Sequence, residues 1–227
     1  MAELFTAPFW AQYGDLLWQG CLDTMIMVVI STVFSYLLGL PLGVLLVLTG
    51  DHGIRPCKPF HRILGWIVNI GRSIPFLILM IAIMDFTKFL VGTKIGIRGA
   101  IVPLVVSAAP FIARMVETSL MEVDAGVVEA AQSMGASTFQ IVRKVYLPEA
   151  TPSLVLGGAI SVITILAYTA IAGTVGAGGL GDLAIRYGYQ RKIPAMMLVT
   201  VLFLIVIVQI IQFVFSRVSN RIDKRLK

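Results

Sequence analysis

The residues best suited to nucleotide chemistry are the glycines of residues 176–181, which read GAGGLG and formally match the dinucleotide-binding pattern G-x-G-x-x-G. That pattern binds a pyrophosphate only when a strand precedes it, a helix follows it and an acid lies about 20 residues further on. Here the stretch follows a long apolar run, and position 201 is valine. We therefore predict a turn, flexible or compact, rather than a cofactor site, at Gly176, Gly178, Gly179 and Gly181.

Metal ligands and nucleophiles are sparse in this sequence. His52 and His61 share one short basic loop without a Cys or carboxylate cluster nearby, so we expect no metal site. Cys21 and Cys57 flank one apolar run, so a spanning helix would separate them and exclude a disulfide. The apolar runs hold no His, and no G-x-S-x-G occurs, which argues against an intramembrane enzyme. The phosphate-loop pattern G-x-x-x-x-G-K-[ST] is also missing, so any nucleotide is expected on another polypeptide.

Two groups of charged residues interrupt the apolar runs. NIGRSIPF, residues 69–76, contains Asn69, Arg72 and Pro75. An arginine at mid-membrane costs at least ~2.5–3.5 kcal/mol, so Arg72 either lines a passage or gate, or has a structural role by reaching the surface or bonding backbone carbonyls. Pro75 predicts a kink in the helix. Arg114 and Glu117 are three residues apart, which favours a structural ion pair on one helical face.

The composition places these residues in a membrane protein. Of 227 residues, 58% are hydrophobic and 13% charged, whereas soluble domains carry about 25% charged residues. A bilayer span needs about 20 apolar residues, and in lipid such a run must be helical. We predict an all-α polytopic protein with five spans, at residues 22–48, 63–84, 99–119, 152–173 and 194–216.

The distribution of Lys and Arg predicts the orientation of the spans. If the N-terminus is outside, ten cytoplasmic cations are Arg55, Lys58, Arg62, Arg143, Lys144, Arg217, Arg221, Lys224, Arg225 and Lys227. The six outer ones are then Lys88, Lys94, Arg98, Arg186, Arg191 and Lys192. Positive charge concentrates on the cytoplasmic side, which favours an outer N-terminus and a cytoplasmic C-terminus. Since the net charge of +6 lies at the ends of apolar runs, nucleic-acid binding is not expected.

This topology makes residues 120–151 the longest cytoplasmic loop. Asp124 is a good N-cap for a helix over 124–134, whose apolar stripe is Val127, Val128, Ala131 and Met134. Gly135 is suited to terminate that helix. Ser137 or Thr138 can cap a second helix, with Phe139, Val142, Val145 and Tyr146 on one face, and Leu147-Pro148 is predicted to end it. The first helix suits insertion into a groove on a cytoplasmic partner, although an ordinary connecting hairpin has the same pattern.

The same loop resembles the EAA signature of the membrane subunits of ABC importers. The matching positions are Glu129, Ala130, Ala131, Gly135, Val145, Leu147 and Pro148, with Val145 in place of Ile. In that family the loop forms a coupling helix that docks on the ATP-hydrolysing subunit. The resemblance therefore implies that Glu129, Ala130, Ala131, Met134, Gly135, Leu147 and Pro148 contact such a subunit.

Further stretches are similar to the methionine-importer permeases within this family: RSIPF (72–76), APFIARMVE (109–117), VRKVYLPEA (142–150) and TVGAGGLG (174–181). The resemblance implies the ABC type I importer permease fold and an inner-membrane homodimer. Its partners would be two ATPase subunits, which hold ATP and Mg²⁺, and an extracytoplasmic methionine-binding protein that docks at the glycine-rich turn. A permease for another small amino acid, a small peptide or an osmolyte remains the alternative, and an energy-independent channel would not need the loop.

We accordingly divide the chain into three parts. Residues 1–20 form an N-terminal interfacial segment, in which Phe5, Phe9, Trp10, Tyr13 and Trp18 resemble an aromatic belt. Residues 21–216 form the transmembrane type-1 domain with the coupling loop at about 120–151. Residues 217–227 form a basic cytoplasmic tail.

Overall fold

A computed structural model describes residues 7–222, and within that range the chain is helical and contains no strand. The predicted all-α class is confirmed. The helices are α1 (Ala7–Thr49), α2 (Lys58–Ser73), α3 (Phe76–Ala82), α4 (Met84–Val91), α5 (Gly96–Met121), α6 (Ala125–Ser133), α7 (Thr138–Ile141), α8 (Leu147–Glu149), α9 (Thr151–Gly173), α10 (Gly179–Leu183) and α11 (Pro194–Ile222). Two π-helical segments, Val142–Tyr146 and Ala184–Gln190, follow α7 and α10.

Four helices in the described range, α1, α5, α9 and α11, are long and apolar enough to cross a membrane. A fifth span is obtained when α2 and α3 are counted together. They are separated because Ile74 is extended, with φ −85° and ψ 122°, and Pro75 precedes α3. A residue before proline avoids the helical region, and proline has no N–H to donate. The kink predicted at Pro75 is thus a complete break.

The first helix is longer than its predicted span. Residues 7–20, assigned to a separate interfacial segment, are continuous with α1, whereas residues 1–6, including Phe5, lie outside the described range. Phe9 and Leu17 are buried in a cluster with Leu183, Met196 and Val199. This packing stabilises helix where the sequence alone indicates an interfacial segment. Trp10 and Trp18 are exposed, as an aromatic belt requires.

The chain divides into two compact units, and each has its own core. Among the described residues, the first unit contains 7–33, 75–106 and 162–211. Its core includes Met27, Phe76, Met80 and Leu104, and the Phe76 ring stacks on Tyr168 at 4.6 Å. The second unit contains residues 34–74, 107–161 and 212–222. Its core is built from Leu46, Leu64, Val68 and Ala113.

Close contact between α1 and α5 holds the second unit together. A Cβ added to Gly39 would lie 2.8 Å from the Ala109 carbonyl oxygen, and one on Gly43 would lie 2.6 Å from the Ala113 oxygen. Both distances are shorter than van der Waals contact, so only glycine allows the two backbones to approach this closely. Small residues serve this purpose in membrane helices generally. The sequence analysis did not identify this pair.

Candidate functional site

The first helix of the predicted coupling loop, α6, has defined ends. The Asp124 carboxylate accepts a hydrogen bond from the Gly126 N–H at 2.7 Å, so the predicted N-cap is confirmed. At the other end Gly135 has φ +77°, and the Ala136 N–H donates to the Ala131 carbonyl at 3.1 Å. Gly135 therefore terminates α6 in the left-handed conformation, as predicted.

The second helical piece begins as predicted and ends differently. The Gln140 N–H donates to Ser137 Oγ at 3.3 Å and the Ser137 N–H donates to Gln140 Oε1 at 2.7 Å, which is a complete capping box. The predicted end at Leu147-Pro148 is wrong, because helical structure continues to Glu149 and α9 begins at Thr151. In the π-helical turn the Leu147 N–H bonds to the Val142 carbonyl, five residues back. This wider turn accommodates Pro148, which lacks an N–H.

The loop has a buried face and an exposed face. Val128, Ile141 and Tyr146 are buried and anchor the loop to the second unit. Met134 and Phe139 point outward, with 86% and 71% of their surfaces exposed. The predicted stripe of α6 is therefore divided, because Val128 packs inward while Met134 is presented to the surroundings. Phe139, which the sequence analysis placed on an apolar face but not in the contact set, is presented beside it.

The residues of the EAA signature lie mostly on the exposed face. Glu129, Ala130, Gly135 and Pro148 are exposed, while Ala131 and Leu147 are half-buried. Large exposed apolar side chains beside small ones are typical of a protein contact surface.

A cleft of about 530 Å³ lies behind α6, between this helix, the end of α5 and residues 50–54. Its polar lining includes His52, His61, Glu117, Glu129 and Tyr146. His61 Nδ1 donates to the Leu46 carbonyl at 3.1 Å, so this ring fixes the start of α2. Burial raises the pKa of the Tyr146 phenol, which therefore stays protonated and neutral. Among residues 7–222 no group of three or more potential metal ligands occurs.

Two sequence-predicted groups of polar residues in the second unit, Arg114 with Glu117 and Asn69 with Arg72, are arranged differently. Arg114 Nη1 donates to Glu117 Oε2 at 2.5 Å, which confirms the predicted pair, and Arg114 Nη2 donates to Asn69 Oδ1 at 3.0 Å. Asn69, a candidate passage residue, therefore joins α2 to α5. The Arg72 side chain is exposed and makes no hydrogen bond or ion pair with any residue from 7 to 222.

The glycine-rich turn belongs to the first unit and is compact. Gly176, Gly178 and Gly179 have positive φ, and the Leu180 N–H donates to the buried Thr24 Oγ1 at 2.8 Å. A Cβ on Gly179 would lie 2.7 Å from that same oxygen. These contacts give the turn a compact geometry, and its role as a docking turn stays a prediction. Gly181 is buried in α10, a helix that the sequence analysis did not predict.

A cleft of about 550 Å³ surrounds this turn, lined by Asp23, Arg98, Asp182 and Arg186 together with Gly176 and Gly178. Arg186 and Asp182 form an ion pair at 2.5 Å. Backbone and charged groups are thus presented together at this end of the first unit.

Comparison with known proteins gives consistent matches. The family model "binding-protein-dependent transport system inner membrane component" matches residues 39–227. The chain is 51% identical over 219 residues to the probable D-methionine transport system permease protein MetI of Vibrio cholerae, covering 96% of this chain and 97% of that protein. It is 46% identical over 209 residues to the methionine import system permease protein MetP of Bacillus subtilis, covering 92% and 94%. A chain of the MetNI methionine ABC transporter, solved in inward-facing conformations, superposes with a TM-score of 0.93 at 44% identity, covering 97% of this chain and 100% of that one.

Proposed function

The chain belongs to the family of binding-protein-dependent transport system inner membrane components, and on that premise we propose that it imports methionine as the permease subunit of an ABC transporter. It is a multi-pass inner membrane protein with the importer permease fold. It is the transport subunit, and ATP hydrolysis belongs to a separate chain. The names of two relatives that match over more than nine-tenths of this chain support methionine as the cargo. A permease for another small amino acid or an osmolyte is the alternative.

The exposed face of the loop is the proposed contact with the ATPase subunit. Its supporting observation is that α6 is fixed at both ends, while Met134 at its C-terminal end and Phe139 near the start of α7 are both largely exposed. A short helix of small residues with an exposed apolar side chain at its end suits insertion into a groove of a partner. Glu129 and Ala130 would lie along that groove, with Ala131, Leu147 and Pro148 supporting them.

The proposed transport cycle is driven from the ATPase subunits, which hold ATP and Mg²⁺. ATP binding closes the ATPase dimer, draws two coupling loops together and opens the outer side, and hydrolysis resets the complex. A two-fold homodimer of this chain supplies ten spans from two copies of five, and a central route between them. The unpaired Arg72 is the proposed passage or gating cation, and Pro75 provides the break beside it.

The loops on the other side of the membrane receive the cargo in this proposal. With an outer N-terminus and a cytoplasmic C-terminus, the turn at Gly176, Gly178, Gly179 and Gly181 faces outward. A methionine-binding protein docks there, against the compact backbone and the surrounding charged cleft. Selectivity then rests with that protein, and the passage needs no tight site of its own.

Reconstitution of the complete transporter tests the proposed cargo. The chain is placed in vesicles with its ATPase subunit and binding protein, and ATP-dependent uptake of labelled L-methionine, D-methionine and other small amino acids is measured. We expect uptake of methionine, with the two enantiomers assayed separately. Uptake of another amino acid or osmolyte in its place would establish the alternative cargo.

A charge reversal tests the proposed contact. Glu129→Lys should leave the chain in the membrane and allow ATP hydrolysis while reducing uptake per ATP, because it alters the face that meets the ATPase. Glu122→Lys is the matched control, since Glu122 is an exposed acid of the same loop outside the signature. Equal uptake per ATP in both variants would contradict the assignment of this face.

A further inference from the structure

Contacts with α9 determine which face the C-terminal end of α11 turns toward the rest of the second unit. Ser219 is only 3% exposed, and its hydroxyl donates to the Pro152 carbonyl at the start of α9, at 3.2 Å. Phe215, one turn earlier, packs near Gly158. With 3.6 residues per turn, Phe213 and Arg217 then lie on the opposite side of the helix. The contacts of one face thus determine which residues the other face presents.

The outward face of this helix end carries exposed apolar side chains and, next to them, basic side chains. Phe213, Val214 and Val218 are exposed, and the Arg217 guanidinium lies over the Phe213 ring at 5.0 Å from its centre. Stacking on the ring holds this cation against the apolar row. Arg221 is exposed one turn further on. The apolar row therefore ends where two guanidinium groups begin.

These cations have no counterion in the described part of the chain. Neither Arg217 nor Arg221 forms an ion pair with any residue from 7 to 222. The following sequence, DKRLK, adds Lys224, Arg225 and Lys227 against Asp223 alone. Five basic residues in the last eleven therefore meet one acid.

We propose that this end of α11 binds the headgroup of an anionic phospholipid. The geometry favours a lipid because acyl chains cover the exposed apolar row and a phosphate then lies at the depth of the two arginines. A basic cluster directly after a spanning helix attracts anionic lipid. The proposal is independent of the cargo, because neither residue belongs to the proposed passage or coupling face.

Native mass spectrometry of the purified full-length chain in detergent tests the site. The chain is titrated with phosphatidylglycerol and, separately, with phosphatidylcholine of the same acyl chains. We expect preferential retention of phosphatidylglycerol, and a loss of roughly 5–30-fold in its affinity for the double variant R217Q/R221Q. The charge-preserving R217K/R221K should keep most of the preference, which separates a charge effect from misfolding.

A second double variant, R143Q/K144Q, is the matched control because it removes two exposed cations from the loop. It should keep the preference for phosphatidylglycerol. Equal retention of both lipids by the unaltered chain would overturn the proposal, as would an equal loss in the two glutamine variants. Displacement of the lipid by millimolar inorganic phosphate would also overturn it, since the site would then bind phosphate without acyl chains.

Discussion

Replacement of Gly135 tests whether its proposed role in coupling depends on its left-handed backbone conformation. Its φ of +77° costs a residue with a side chain about 1–2 kcal/mol, and apart from Gly135 and its two chain neighbours no atom of residues 7–222 lies within 4 Å of a Cβ placed there. The penalty within the chain is therefore entirely backbone strain. An alanine should lower the ratio of native to non-native α6 termini roughly 5–30-fold, because 1–2 kcal/mol corresponds to that change in an equilibrium ratio. Asparagine adopts the left-handed region more readily, so it should cost less despite its larger size.

The measurement is uptake per ATP hydrolysed in vesicles with the ATPase subunit and binding protein. We expect the order Gly135, then Gly135→Asn, Gly135→Ala and Gly135→Val. Gly92→Ala is the control, because Gly92 has φ +81° and equally open surroundings but lies at the end of α4, outside the loop. It should leave uptake per ATP unchanged. If Gly135→Ala performs better than Gly135→Asn, the ATPase excludes volume at this position and the conformational reasoning is refuted.

Three further predictions concern residues of the helices α5, α1 and α2. Arg114→Gln leaves the Glu117 carboxylate buried without its cation and should destabilise the protein by about 3 kcal/mol, measured as a lower melting temperature in detergent. The double variant R114Q/E117Q should recover part of the lost stability, because it also removes the buried carboxylate. Gly43→Ala forces a methyl group against the α5 backbone and should cost about 1–3 kcal/mol in the same assay, whereas Gly14→Ala, in open surroundings on the same helix, should not destabilise. Arg72→Gln should slow uptake more than it lowers the amount of assembled complex, and an equal loss of both would indicate a structural role.

Local interactions explain what was predictable in the loop. Asp124 accepts a hydrogen bond two residues away, and Gly135 terminates the helix through its own φ, so both assignments depend only on neighbouring residues. The Arg114–Glu117 pair is also local, because three residues bring two side chains together on any helix. The five spans follow from composition and length. These features required no knowledge of tertiary structure.

Contacts distant in sequence explain what was not predictable. Phe9 extends α1 toward the N-terminus because it packs with Met196, almost 190 residues later. The Asn69 side-chain oxygen accepts a hydrogen bond from Arg114, which lies 45 residues later in the sequence. The glycine-rich turn is compact because of Thr24, on another helix. In each case a polar or apolar side chain has its partner on a remote segment, which local pattern does not reveal.

The continuation of helix through Pro148 bears directly on the proposed coupling. Had the helix ended at Leu147, a loose joint would separate the loop from α9 and absorb a displacement. Instead the Ala150 N–H donates to the Tyr146 carbonyl at 3.0 Å, and the Thr151 hydroxyl donates to the Leu147 carbonyl at 2.7 Å.

The base of α9 is in turn tied to two neighbouring helices. Ser153 Oγ donates to Ser119 Oγ of α5 at 3.1 Å, and Ser219 of α11 donates to the Pro152 carbonyl. Phe139 is thus connected through the second helical piece to three helices of the second unit. We expect the π-helical turn at Val142–Tyr146 to support the proposed transmission, because it keeps the helix continuous past Pro148, where proline would otherwise break it.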